Sequence, residues 1–101
     1  MWAQLQKVSS SPERETELLD IFEQLNALEQ PDSGLVKTMV MRSQANPSDV
    51  FVLVLFESEE KARARERDPR RQDRIKGIRA SMGEVLDGPP EFFDLTVIQD
   101  A

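Results

Sequence analysis

Cysteine, histidine and tyrosine are all absent from this 101-residue chain, and each absence removes a class of chemistry. Without cysteine there is no disulfide framework, no thiolate nucleophile and no sulfur-ligated metal site, a composition at home in a reducing cytoplasm. Without histidine the commonest general base and the commonest metal and haem ligand are missing, so Ser-His-Asp and Cys-His mechanisms are excluded. Long apolar runs are missing too: nothing approaches the ~18 residues that suggest a membrane span, and residues 1–15 carry no apolar stretch of signal-peptide length. The sequence therefore predicts a cytoplasmic protein with no membrane partner. Any catalysis must rest on carboxylates, Lys, Arg, amides, Trp or the substrate's own reactivity.

What is present is a lean core and a charged surface. Hydrophobic residues make up 39% of the chain and charged residues 32%, and the length suits a single domain over residues 1–101. The net charge of −6 would repel phosphates, so nucleic acid is not an expected partner. The charge is uneven, however. Between Lys61 and Arg79 stand nine of the thirteen basic residues against three acids (Glu66, Asp68, Asp73), which makes this segment about +6 and the remainder about −12.

Local patterns divide the chain into six main elements. Trp2 to Val8 reads as a first strand. Ser9-Ser10-Ser11-Pro12 then stops it and starts a helix, with a serine N-cap, Pro12 near the first helical position and Glu13 and Glu15 at the positive end of the dipole. Leu18, Phe22, Leu25 and Leu28 recur at helical spacing until Pro31-Asp32-Ser33-Gly34 turns the chain. Leu35 to Arg42 and Val50 to Phe56 read as an antiparallel hairpin. Ser58 caps a short helix over about 58–67, Asp68-Pro69 interrupts it, and a longer helix runs over about 69–86 with Ile75, Ile78, Met82, Val85 and Leu86 on one stripe. Gly88-Pro89-Pro90 closes that helix, and Phe92 to Ile98 forms the last strand. The order is β-α-β-β-α-β.

The third strand carries the strongest inference. Val50-Phe51-Val52-Leu53-Val54-Leu55-Phe56 is apolar at every position, whereas a strand with one wet face would alternate. Right-handed crossovers place both helical segments on one face of the sheet, so the other face has no cover within the chain. Leaving Phe51, Leu53 and Leu55, or the other alternate set, in water forgoes ~1.5–3 kcal/mol per side chain. A homodimer formed sheet against sheet resolves this with one self-complementary patch.

Candidate binding residues are sparse. The first strand should be central, yet Gln4 and Gln6 share a face with Trp2 and Val8. Buried amides need partners, which a pocket beside that face, or pairing with each other or across a dimer, would supply. Trp2 could stack on a flat ligand or simply pack. Met39, Met41 and Met82 could line an apolar pocket or fill the core. The basic stretch, spread over a broken helix, reads as a solvated face, with a Glu66–Arg70 pair should the helix stay continuous. Arg79, beside Ile78 and Met82, is the exception, because its guanidinium could hold a carboxylate or phenolate at a pocket mouth.

Met1-Trp2-Ala3, the run Phe56-Glu57-Ser58-Glu59-Glu60 and the ending Leu86-Asp87-Gly88-Pro89-Pro90-Glu91 resemble the antibiotic biosynthesis monooxygenase family. The resemblance implies an α+β, ferredoxin-like β-α-β-β-α-β fold with a four-stranded antiparallel sheet, completed as a dimeric α+β barrel, and a pocket between each sheet and its own helices. Family members include cofactor-independent oxygenases of aromatic polyketides and haem-degrading enzymes. The haem-degrading members use an Asn, a Trp and a His at positions corresponding to Gln6, Phe56 and Glu66. All three differ here, so the expectation is no haem and no other cofactor. Two readings follow. One is a cofactor-free oxygenase of an apolar or aromatic molecule, with Gln4, Gln6 and Arg79 as polar participants and Trp2 and Phe56 as apolar walls. The other is a non-catalytic ligand-binding or regulatory homodimer of the same shape.

Overall fold

The computed structural model describes residues 1–101. Four strands, β1 (Trp2–Ser9), β2 (Leu35–Arg42), β3 (Asp49–Phe56) and β4 (Glu91–Thr96), form one sheet in the order β2-β3-β1-β4. Every neighbouring pair is antiparallel. With α1 (Glu15–Ala27), α2 (Glu59–Arg67) and α3 (Pro69–Val85) on one side, this is the expected ferredoxin-like α+β arrangement, its second helix broken in two.

The helix starts follow their sequence signals. The Ser11 hydroxyl accepts from the Glu13 amide and opens a 3-10 turn at Pro12–Arg14 that leads into α1. Ser58 caps α2 by accepting from the Lys61 amide, and Asp68 caps α3 by accepting from the Arg70 amide. Asp68 itself is extended (φ −67°, ψ 118°), as a residue before proline prefers. The helix is therefore not continuous. Glu66 pairs with Arg63 instead of Arg70, and Arg70 pairs with Asp68. The last strand begins one residue earlier than its pattern suggests and ends at Thr96, two residues earlier.

Alternation along β3 sorts its side chains. Val50, Val52, Val54 and Phe56 are buried beneath the helices, with Leu18 and Ile21 of α1 and Ile78 and Val85 of α3 closing over them. Across the ladder Trp2 faces Phe56, Gln4 faces Val54, Gln6 faces Val52 and Val8 faces Val50. Directly opposed residues share a face, so both glutamines lie on the helix side. The other face carries Phe51, Leu53 and Leu55, opposed by Met41, Met39 and Lys37 on β2, with Leu5, Phe93 and Leu95 beyond. No helix covers it: Met41, Phe93 and Leu95 are 40–45% exposed. Met39 and Met41 thus belong to this outer face, while Met82 packs against the core. No helix is long and apolar enough to cross a membrane.

Candidate functional site

Between the sheet and the helices lies an open cleft of about 580 Å³, within the size range of small-molecule sites. Its floor is the sheet: Gln4 and Gln6 from β1, Val52, Val54 and Phe56 from β3, and Leu35, Thr38 and Val40 from β2. Phe22, Leu25, Asn26 and Glu29 of α1 form one wall, and Arg65 of α2 with Arg71 of α3 close an end. The cleft exists because α1 and the corner between α2 and α3 close over β3 but leave the middle of β1 and β2 incompletely roofed.

The glutamines of the floor are partnered as a chain. Arg63 donates to Asp94 Oδ2 at 2.8 Å, Gln4 Nε2 donates to Asp94 Oδ1 at 3.1 Å, and Gln6 Nε2 reaches Gln4 Oε1 at 3.4 Å. A carboxylate only accepts, so Asp94 fixes which end of each amide points where. The chain ends in Gln6 Oε1 as a free acceptor. The hydrogen bond from Arg63, with that from Gln4, holds the Asp94 carboxyl below its ordinary range.

The end wall is a half-buried cluster of charge. Glu29, Arg65 and Arg71 are only 15–17% exposed at their side chains. Arg65 Nε donates to both Glu29 oxygens, at 2.8 and 3.1 Å, and Arg65 Nη2 also bonds Oε1. Burial raises the Glu29 carboxyl most, but the Arg65 hydrogen bond and charge, the Ser33 hydrogen bond and the Arg71 charge together leave it lowered. The Arg65 guanidinium also lies over the Phe56 ring, 5.2 Å from its centroid, as cations favour aromatic faces. Arg71 reaches Glu29 Oε1 only at 3.5 Å, and burial first, then repulsion from Arg65, pull its pKa down. In a continuous helix, residues six apart would point about 120° away from each other and stand about 9 Å apart along the axis. The corner at Asp68 is what lets Arg65 and Arg71 meet one carboxylate.

Three of the five residues singled out from the sequence, Gln4, Gln6 and Phe56, line the cleft. Trp2 sits beside Phe56, with ring centroids 6.0 Å apart and planes tilted by 44°, and carries the Arg63 guanidinium over its ring, 5.0 Å from the centroid. Arg79 is exposed on α3 and does not line the cleft. Arg65 and Arg71 had no signal as a site in the sequence beyond the high charge of their segment, and Glu29 had none. No group of three or more His, Cys, Asp or Glu stands close enough to hold a metal ion.

No family model matches the chain, and no curated protein matches it by sequence. Solved structures do share its architecture. A Caulobacter crescentus protein classed with the antibiotic biosynthesis monooxygenases has a TM-score of 0.76 at 20% identity, covering 97% of this chain and 90% of its own. One so classed from Bordetella bronchiseptica gives 0.74 at 18%, covering 97% of each. The fold is that of the antibiotic biosynthesis monooxygenases. SnoaB, a cofactor-independent oxygenase from Streptomyces nogalater, shares it with a TM-score of 0.73 at 12% identity, covering 98% of this chain and 94% of its own. Within this monooxygenase fold, the three positions drawn from the haem-degrading members (Gln6, Phe56 and Glu66) all line the one cleft. Shared fold at such identities does not carry chemistry across.

Proposed function

We propose that this chain, as one domain, is a cytoplasmic, cofactor-independent monooxygenase-like enzyme whose cleft takes an apolar or aromatic small molecule, and that it works as a homodimer. The observation that carries the reading is the 580 Å³ cleft, floored by Val52, Val54 and Phe56 with Gln4 and Gln6 among them. Apolar walls with a few fixed polar groups are what bind and orient such ligands. In this reading the protein desolvates the substrate and stabilises its anion. The substrate anion passes one electron to O₂, the resulting radical and superoxide combine to a peroxide anion at carbon, and this takes back the proton released when the substrate anion formed to give a hydroperoxide. Loss of water then leaves a carbonyl, so one oxygen atom stays on the product and the other leaves as water.

Pairing through the outer sheet face is supported by the apolar residues gathered there, above all Phe51, Leu53, Leu55, Phe93 and Leu95. An exposed patch of this kind is characteristic of interaction surfaces.

The cleft holds carboxylates and guanidiniums but no histidine, cysteine or tyrosine, which favours a second reading: a non-catalytic ligand-binding or regulatory homodimer. One experiment separates the two. Purified protein is incubated under air with a panel of aromatic polyphenols while oxygen uptake, product absorbance and Trp2 fluorescence are followed. Oxygen consumption with a new product supports the enzyme. Saturable quenching without turnover supports the binder. Neither, across the panel, refutes the cleft as a ligand site.

A further inference from the structure

Two guanidiniums share one carboxylate at the inner end of the cleft, and they share it unequally. Arg65 takes both oxygens of Glu29 in a fork, through Nε and Nη2, and rests on Phe56. Arg71 is as sheltered as Arg65, yet its one side-chain hydrogen bond is the 3.5 Å contact to Glu29 Oε1. A guanidinium carries five N–H donors, and a sheltered charge is costly unless paired and hydrogen-bonded. The local balance is one surplus positive charge, and the surplus is Arg71. The other charged groups of the cleft, Glu23, Lys37 and Glu66, are exposed at its rim, where solvent and salt screen them.

We infer that Arg71 is an anion receptor, and that the ligand of the cleft is an aromatic carboxylate whose ring lies against the partly exposed apolar side chains Phe22, Leu25 and Val40 and whose carboxylate is held by Arg71. This rests on the cleft being the ligand site. It also names a different residue from the one the sequence suggested, since Arg79 is exposed and Arg71 faces the cleft. A carboxylate offers two oxygens to a guanidinium fork, the geometry in which arginine binds anions best. Burial and the neighbouring Arg65 disfavour the charged form of Arg71 more than the Glu29 and Glu66 charges favour it, and an anion in the cleft would add to the favourable side. Arg71 also borders a smaller cavity of about 130 Å³, but of its eleven lining residues only Leu28 and Ala64 are hydrophobic, which leaves little for a ring to rest on.

The test uses two probes of equal shape, 2-naphthoate and its neutral counterpart 2-naphthamide, titrated calorimetrically into the full-length protein at low salt. Charge-assisted pairing predicts that naphthoate binds about tenfold tighter or more. The preference should shrink as salt is raised and disappear in Arg71→Gln. Because Arg71 contributes little to the Glu29 pairing, that variant should melt within a few degrees of the parent. Equal affinity for the two probes, or a preference that survives Arg71→Gln, overturns the anion receptor while leaving the cleft as a binding site. No binding of either probe overturns both. The comparison between probes on the unaltered protein stands even if the variant fails to fold.

Discussion

Replacing Glu29 by Gln removes the only carboxylate between two sheltered guanidiniums while keeping side-chain shape. Exposed ion pairs contribute ~0–1 kcal/mol, and stripping one partner from a buried pair costs ~3–5 kcal/mol. Glu29, Arg65 and Arg71, at 15–17% exposure, fall between these limits. We therefore expect a loss of about 2 kcal/mol at pH 7, worth ~8–16 °C in Tm for a chain of this length. The effect should depend on pH in a definite direction. The folded Glu29 carboxyl is lowered, so its contribution is complete above the unfolded value of ~4.3 and is lost as the pH falls through the folded value. Urea melts of parent and Glu29→Gln at fixed protein concentration, at pH 7 and at about pH 3, measure this directly. The gap should be full at pH 7 and clearly narrower in acid, since the parent's protonated Glu29 then resembles Gln. Other lowered carboxyls such as Asp94 and Asp68 titrate in both proteins and cancel in the difference. A gap of the same size at both pH values, or none at pH 7, refutes the electrostatic account of the cluster.

Leu53→Lys places a charge at the centre of the outer sheet face. Light scattering at micromolar concentration should find two subunits in the parent and one in the variant, and a folded monomeric parent would exclude the sheet-to-sheet pair. Gly34 has φ +79°, and a Cβ there would stand 2.6 Å from Lys61 Cδ. Gly34→Ala should therefore lower stability by ~1–2 kcal/mol, from the left-handed backbone alone, and an unchanged melt would count against that turn geometry. Gln6→Leu removes the free acceptor at the end of the Arg63–Asp94–Gln4–Gln6 chain. Affinity for a hydroxylated aromatic should fall by ~2- to 10-fold, the worth of one hydrogen bond, and an unaltered affinity would remove Gln6 from the site.

The sheet was readable because its signals are local and strong. The unbroken apolar run of β3 read as a strand rather than a buried helix segment, from its β-branched and aromatic residues and its length, and the register puts Gln4 and Gln6 on the helix side with Phe56. Ser11, Ser58 and Asp68 act as the caps their positions suggest, because capping needs only the amides of the next turn. The end wall of the cleft was not readable. A broken helix suggested basic residues scattered in several directions, whereas the break turns Arg65 and Arg71 towards each other. Their partner Glu29 is 36 residues from Arg65 in sequence, and no periodic pattern links residues so far apart. Arg79 failed for the opposite reason. Its neighbours Ile78 and Met82 lie on the apolar stripe, but adjacent residues on a helix point about 100° apart, which carries Arg79 out to solvent.

The bend at Asp68-Pro69 gives this fold a remote adjustment. Two residues outside the cleft set the angle between the arms bearing Arg65 and Arg71, and so the spacing of positive charge at its end. A chain variant could shift that spacing by altering this corner alone, with every cleft-lining side chain and the whole strand ladder kept as they are.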